Sequence, residues 1–160
     1  MSDCRGAVPS GPRSDDRGTR EERRGKTAHS GTPEGAGNLR EIFEYALIRV
    51  VPRIDRGEAI NVGVLLYSKS FRYLRSRIEL NENRLRALDP GADVAAVRGA
   101  LSAFERACTE GPLAEQSLGD RFRWLTAPRS AIVQPGPVHA GITTDPAADL
   151  DRLFTTLVAS

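Results

Sequence analysis

The sequence contains few of the residues from which metal sites and disulfide frameworks are built. Its 160 residues include two cysteines and two histidines, and Cys4 and His29 fall in a segment rich in Gly, Arg and Ser. A structural zinc site needs four such ligands at short spacing, and a disulfide framework needs several paired cysteines. We therefore predict no metal site, and we expect Cys108, on an apolar helical stripe, to be a small buried hydrophobe.

Lysine and histidine are scarce in the part of the sequence that carries apolar periodicity. Lys69 is its single lysine, and no glycine-rich phosphate loop accompanies it, which argues against a phosphotransferase. His139 is its single histidine, and although Ser68, Ser130 and Asp145 can be nominated as partners, no nucleophile-elbow motif supports a catalytic triad. We interpret His139 as an ordinary polar residue, predict no cofactor, and favour a protein that is not an enzyme.

Long apolar runs are absent as well. No stretch of about 18 uninterrupted apolar residues occurs, which is the length that a membrane-spanning helix requires. The first residues also lack the apolar core of a secretory signal. We expect a soluble, cytoplasmic protein.

Residues 1–40 differ from the rest of the chain in charge and in apolar content. They carry eight Lys/Arg and six Asp/Glu, whereas residues 41–160 carry fifteen of each, so the first segment supplies the net charge of +2. This segment has no aromatic residue and no apolar periodicity, and it cannot bury enough surface to offset the entropy of ordering. We predict a disordered N-terminal extension over 1–40 and a single domain over 41–160.

Three strands are predicted at the start of the domain. Residues 43–51 and 60–67 are apolar on both alternating faces, as in strands that are covered on both sides. The connector PRIDRGE, residues 52–58, suits a turn, so these two strands form a hairpin. The third strand, within residues 71–80, alternates more cleanly and exposes one face to solvent.

Helices are predicted in the middle and at the end of the chain. A short helix is capped by Asn81, a longer amphipathic helix begins at Asp93, and the last begins at Asp145 with Pro146 in its first position. Between them, RFRWLT alternates like a strand, with Phe122 and Trp124 pointing inward. Prolines confine the segments 130–136 and 138–142 to sheet edges or loops.

This order of elements predicts an α+β fold. Early strands followed by helices indicate a mostly antiparallel sheet that is opened by a β-hairpin and carries amphipathic helices on one face.

Three segments resemble a known family. The combination of Arg-Gly-Glu with Asn-Val-Gly-Val occurs in YALIRVVPRIDRGEAINVGVLLYS, residues 45–68, and the same pattern continues in LDP at 88–90 and TDPAADLDRLFTTLV at 144–158. Over about residues 43–158 the sequence is similar to a bacterial family known as domain of unknown function 3037 (DUF3037). The resemblance implies no activity. It does imply a partner, because members are often encoded next to proteins with a kinase-like fold of the bacterial toxin type.

The connector contains the first group of candidate site residues, Asp55, Arg56, Glu58 and Asn61. In a functional interpretation, Glu58 acts as a base or metal ligand beside Asp55, and Asn61 orients a substrate. In a structural interpretation, Glu58 pairs with a neighbouring arginine, Asn61 fastens an adjacent loop, and Gly63 lets another backbone or an aromatic ring approach closely. We favour the structural interpretation, which explains Asn61 least well.

Four arginines form the second candidate group. If the third strand and RFRWLT are neighbours, the predicted outward side chains of Arg75, Arg77, Arg121 and Arg123 make a basic patch, with Tyr73 available for base stacking. An exposed sheet face is polar in any case, and acidic residues dilute this charge, so we favour a solvated face.

Three functions from different classes therefore remain. The favoured one is a non-catalytic protein-interaction or regulatory module, which predicts an exposed apolar patch. The second is nucleic-acid binding through the four arginines, which predicts salt-sensitive affinity. The third is a hydrolase or nuclease that uses Asp55, Glu58 and Asn61, which predicts that these three side chains line one pocket.

Overall fold

The computed structural model describes residues 39–160, so the predicted disorder of residues 1–40 lies almost wholly outside the described residues and stays a prediction. The described chain forms, in order, β1 (Glu41–Val50), β2 (Ile60–Ser68), β3 (Tyr73–Ile78), α1 (Glu82–Leu88), α2 (Val94–Thr109), α3 (Leu118–Thr126), β4 (Val133–Thr143) and α4 (Pro146–Leu157). None of these helices combines the length and the apolar character that crossing a bilayer requires.

The four strands form one antiparallel sheet in the order β3-β2-β1-β4. The α+β prediction is confirmed, and β1 and β2 form the expected hairpin. The two segments that were expected at edges form one long edge strand, β4, which contains Pro135 and Pro137. A proline has no N–H to donate to a ladder, and an edge strand needs donors on one side only.

A bulge in β2 positions Asn61. Ile48 on β1 faces Gly63, and Arg49 faces Asn61, so Val62 has no partner in the register. The extra residue shifts the alternation of the strand, which turns Asn61 to the face opposite Val62. Gly63 is required here because a Cβ would lie 2.7 Å from the backbone oxygen of Arg77. The predicted close approach at Gly63 is therefore present.

Helices cover both faces of the sheet, which differs from the predicted covering of one face. Helices α1, α2 and α3 pack on one face, around a core that includes Ile48, Val50, Val62, Leu65, Leu74, Leu85, Val97, Leu101, Phe104, Phe122 and Leu125. Helix α4 packs on the other face, where Leu150, Leu153 and Phe154 meet Phe43, Val64 and Leu66. The two-sided apolar pattern of β1 and β2 is the physical reason, because each face must be covered.

The predicted helix caps are present. The side chains of Asn81, Asp93 and Asp145 each accept a hydrogen bond from a backbone N–H in the first turn, at 2.9–3.1 Å. These bonds satisfy amides that a helix cannot pair internally. Pro146 occupies the first turn of α4, where its missing N–H costs nothing.

The segment RFRWLT is helical, so its predicted strand-like alternation is wrong. It lies in α3, which begins after Ser117, whose hydroxyl accepts a hydrogen bond from the Asp120 amide at 3.1 Å. Phe122 and Leu125 point inward, but Trp124 is 48% exposed and Arg121 is only 6% exposed. Six residues are too few to distinguish a period of 2 from one of 3.6, and the Ser117 cap was the missed signal.

Candidate functional site

The charged side chains of the connector form two exposed local ion pairs. Arg53 Nη2 lies 2.8 Å from Asp55 Oδ2, and Arg56 Nε lies 3.0 Å from Glu58 Oε2. The hydrogen bond from Arg53 lowers the pKa of Asp55, so this carboxylate remains ionised and is poorly suited to act as a general acid. Glu58 is paired with an arginine, as the structural interpretation expected.

Asn61 fastens the end of a helix. Its Nδ2 donates to the carbonyl oxygen of Leu157, the last residue of α4, at 3.2 Å. The last carbonyls of a helix have no partner within the helix, so this bond satisfies one of them. It also links the β2 bulge to α4. Asn61, which the structural interpretation explained least well, therefore has a structural contact.

The three candidate catalytic residues do not line one pocket. Asn61 borders a cavity of about 300 Å³ beside α1 and the end of α4. The cavity next to the connector, about 490 Å³, is bordered by neither Asp55 nor Glu58 nor Asn61. Among residues 39–160, no cluster of three His, Cys, Asp or Glu side chains could hold a metal ion.

The four candidate arginines do not form one patch. Arg75 and Arg77 lie on β3, and Arg77 binds α4 through Asp151 at 2.6 Å and stacks 4.3 Å from the Phe154 ring centre. Arg123 pairs with Asp120 within α3, on the opposite face of the sheet.

Arg121 is buried, so the prediction that it points outward is wrong. Its guanidinium donates to the carbonyl oxygens of Cys108 at 2.7 Å, Ala114 at 2.8 Å, Leu113 at 3.1 Å and Gln116 at 3.4 Å. These carbonyls belong to the end of α2 and to the turns that follow it. The arginine therefore holds this irregular segment against α3, and its role is structural.

An exposed apolar surface surrounds Trp124, a residue that was predicted from the sequence to point inward. On one side of the indole lies a groove of about 500 Å³ between Ala103, Ala107, Pro112 and Leu113. On the other side lies a groove of about 380 Å³ whose border includes Ala100, Phe104, Ala131 and Ile132. We call this region, Trp124 with the two grooves, the Trp124 surface.

Few charges border the Trp124 surface. Arg106 and Glu110 lie at the first groove, and Arg129 lies at the second. Arg129 stacks 4.8 Å from the indole centre and donates from Nη2 to the Trp124 carbonyl oxygen at 2.6 Å. Neither Arg106 nor Arg129 forms an ion pair with any carboxylate among the described residues.

A second exposed apolar stretch lies along the β1–β4 edge. Ile42 and Ile142 face each other across the two strands, and each is 67% exposed. Val138, further along β4, is 43% exposed. Ile42 borders a cavity of about 300 Å³ that also includes Tyr67, but the charged residues Glu41, Glu44 and Lys69 line it, so it is less apolar than the two grooves at Trp124.

The comparison with known proteins gives one match. A model of the family "Protein of unknown function (DUF3037)" matches residues 45–158, which is most of the chain and agrees with the span expected from the sequence. No curated protein and no solved structure matches the chain. The chain therefore belongs to the DUF3037 family.

Proposed function

We propose that the protein is a non-catalytic interaction module that binds a partner protein at the Trp124 surface. The observation that carries this proposal is the half-exposed tryptophan between two apolar grooves. Contiguous exposed apolar residues that line grooves are typical of protein-interaction sites. Tryptophan is also among the residues that contribute most binding energy at protein interfaces.

The composition of the surface indicates the chemistry of the partner. Ala100, Ala103 and Ala107 follow one side of α2, and their small side chains let a partner backbone come close. Arg106 and Arg129 offer positive charge at the rim, against the single carboxylate of Glu110. A protein segment with apolar side chains flanked by acidic residues fits this surface best.

The kinase-like protein that the family resemblance implies is the first partner to test. No residue of the Trp124 surface identifies it, and it enters through the resemblance alone. An acidic, apolar segment on such a protein would meet the requirement set by the surface.

The proposal can be tested by co-purification from the native host. Tagged full-length protein is isolated at low and at moderate salt, and bound protein and nucleic acid are both quantified. We expect a near-stoichiometric protein that survives moderate salt and is lost with Trp124→Ser. The control is Phe71→Ser, which removes another exposed aromatic residue, 39% exposed, from the turn between β2 and β3.

Other results of the co-purification would contradict the proposal or move the binding site. Loss of the partner in Phe71→Ser as well as in Trp124→Ser would contradict a specific site at Trp124. Nucleic acid that dissociates with salt would favour the alternative of phosphate binding through Arg75 and Arg77. Loss of the partner with Ile142→Ser instead would move the interface to the β1–β4 edge. A second copy of the chain as the bound protein would make the surface a self-association site.

A further inference from the structure

Arg49 is the least satisfied polar side chain among the described residues. It lies near the end of β1, opposite Asn61 on β2 and Gln134 on β4. Its Nε is the one buried side-chain nitrogen or oxygen within residues 39–160 that has no hydrogen-bond partner. Its Nη2 makes only a long hydrogen bond, 3.4 Å, to the Pro135 carbonyl oxygen.

Arg49 as a whole is only partly buried, but its Nε is buried without a partner, which is energetically unfavourable. Arginine keeps its charge in proteins, so it cannot relieve the cost of burial by losing a proton. Buried charges are consequently paired or hydrogen-bonded in nearly all proteins. Arg121 shows how this chain satisfies a buried arginine, with four carbonyl acceptors. Arg49 has no comparable set, and no carboxylate among the described residues pairs with it.

Arg49 borders a cavity whose lining carries only positive charge. The cavity has a volume of about 490 Å³, and Arg129, Ser130 and Gln134 border it together with Arg49. Its other lining residues are Val51, Ile54, Gly57, Ala59 and Pro128, and none is acidic. The nearby Asp55 is already paired with Arg53, so it does not neutralise this cavity.

We infer that this cavity binds an oxyanion, the carboxylate or phosphate group of a small ligand. Arg49 supplies the primary contact through the edge of its guanidinium that borders the cavity, because a guanidinium presents parallel N–H groups that match two oxygens of such an anion. Arg129, whose guanidinium stacks on Trp124 and donates to the Trp124 and Ala127 carbonyl oxygens, adds a second positive charge at the border of the cavity. The inference is independent of the proposed function, although Arg129 borders both sites.

The inference can be tested with the full-length protein alone, labelled with ¹⁵N-arginine. The arginine Nε–Hε signals are followed by NMR while inorganic phosphate or acetate is added at constant ionic strength. We expect the Arg49 signal, assigned by its loss in Arg49→Lys, to shift saturably in the millimolar range. Preference for phosphate or for acetate identifies the class of oxyanion.

The anion affinities of three variants distinguish a specific site at Arg49 from nonspecific attraction of anions to positive charge. Arg49→Gln should weaken binding about tenfold or more, since a charge-assisted pair is lost. Arg129→Gln should weaken it by a smaller factor, and this variant keeps the test valid if Arg49→Gln fails to fold. Arg152→Gln, which removes one positive charge from exposed α4 surface, is the control and should stay within twofold.

Two results would overturn the inference. One is an Arg49 signal that stays fixed up to saturating anion. The other is a shift shared equally by Arg152 or reproduced by chloride, which would indicate nonspecific screening. Because no partner protein is present, failure here leaves the Trp124 proposal untouched, and failure at Trp124 leaves this titration valid.

Discussion

The Trp124 surface differs from the connector between β1 and β2 in how completely the described residues pair its charged side chains and cover its apolar ones. In the connector, each acidic side chain is paired with an arginine two positions away. At the Trp124 surface, a large aromatic ring is half exposed between two grooves, and the arginines at its rim have no carboxylate partner among the described residues. The charges of the connector are therefore already paired with one another. The exposed apolar area at Trp124 would instead gain free energy if a partner buried it.

The two regions also differ in how firmly they are held. The connector is a surface turn, with Gly57 in the left-handed region at φ +69°. The Trp124 surface rests on α2, α3 and the segment that Arg121 fastens beneath them. A rigid support reduces the entropy that binding must remove, which suits the Trp124 surface to recognition.

The largest expected effect on stability is at Arg121, below the Trp124 surface. Arg121→Ala leaves several carbonyl oxygens without donors, so we expect a loss of about 3 kcal/mol in the free energy of unfolding. Urea denaturation measures it. Arg123→Ala, on the exposed side of the same helix, should change the free energy of unfolding by less than about 0.5 kcal/mol. Similar losses in both variants would contradict a structural role specific to Arg121.

An intermediate effect is expected at Asn61, which lies just beyond the connector. Asn61→Ala removes the hydrogen bond to Leu157, so we expect a loss of about 1 kcal/mol in the free energy of unfolding. Hydrogen exchange should show faster opening at the end of α4. Asn83→Ala, at an exposed position of α1, is the matched control. Protection of α4 that is unchanged in Asn61→Ala would show that the bond is not important.

The smallest effect is expected from the connector charges themselves. The double variant Asp55→Asn with Glu58→Gln should leave the urea midpoint and partner binding unchanged, because both ion pairs are exposed. A clear loss of partner binding would contradict this expectation and place the binding site at the connector instead of the Trp124 surface.

A pH titration tests the small contribution of the Asp55–Arg53 ion pair to stability. The pKa of Asp55 is lowered by the hydrogen bond from Arg53, so the pair is intact at neutral pH. A lowered folded-state pKa means that its contribution to stability is lost as the pH falls below the ordinary Asp range and through the folded pKa. Because the pair is exposed, we expect only a slight difference between wild type and Asp55→Asn at neutral pH, and none at strongly acid pH.

The elements that residues close in sequence determine could be predicted from the sequence. Asp145 with Pro146 determines the start of α4, and the two-faced apolar runs with a glycine turn determine the hairpin. Helix α3 can be predicted only if Ser117 is recognised as its cap. Prediction of a strand instead places Arg121 outward and Trp124 inward, which is the reverse of their positions in the structure. The partner of Asn61 lies 96 residues away in the chain, so no local pattern could reveal it.

Binding of a partner at Trp124 can be probed directly with this chain. Trp124 is the single tryptophan of the sequence, so the protein labelled with 5-fluorotryptophan gives one ¹⁹F resonance from this surface. The measurement is a ¹⁹F titration of the full-length protein with the unlabelled partner identified by co-purification. We expect that the resonance shifts or broadens until it saturates at the stoichiometry of the complex. A partner that binds while the resonance stays unchanged would contradict it.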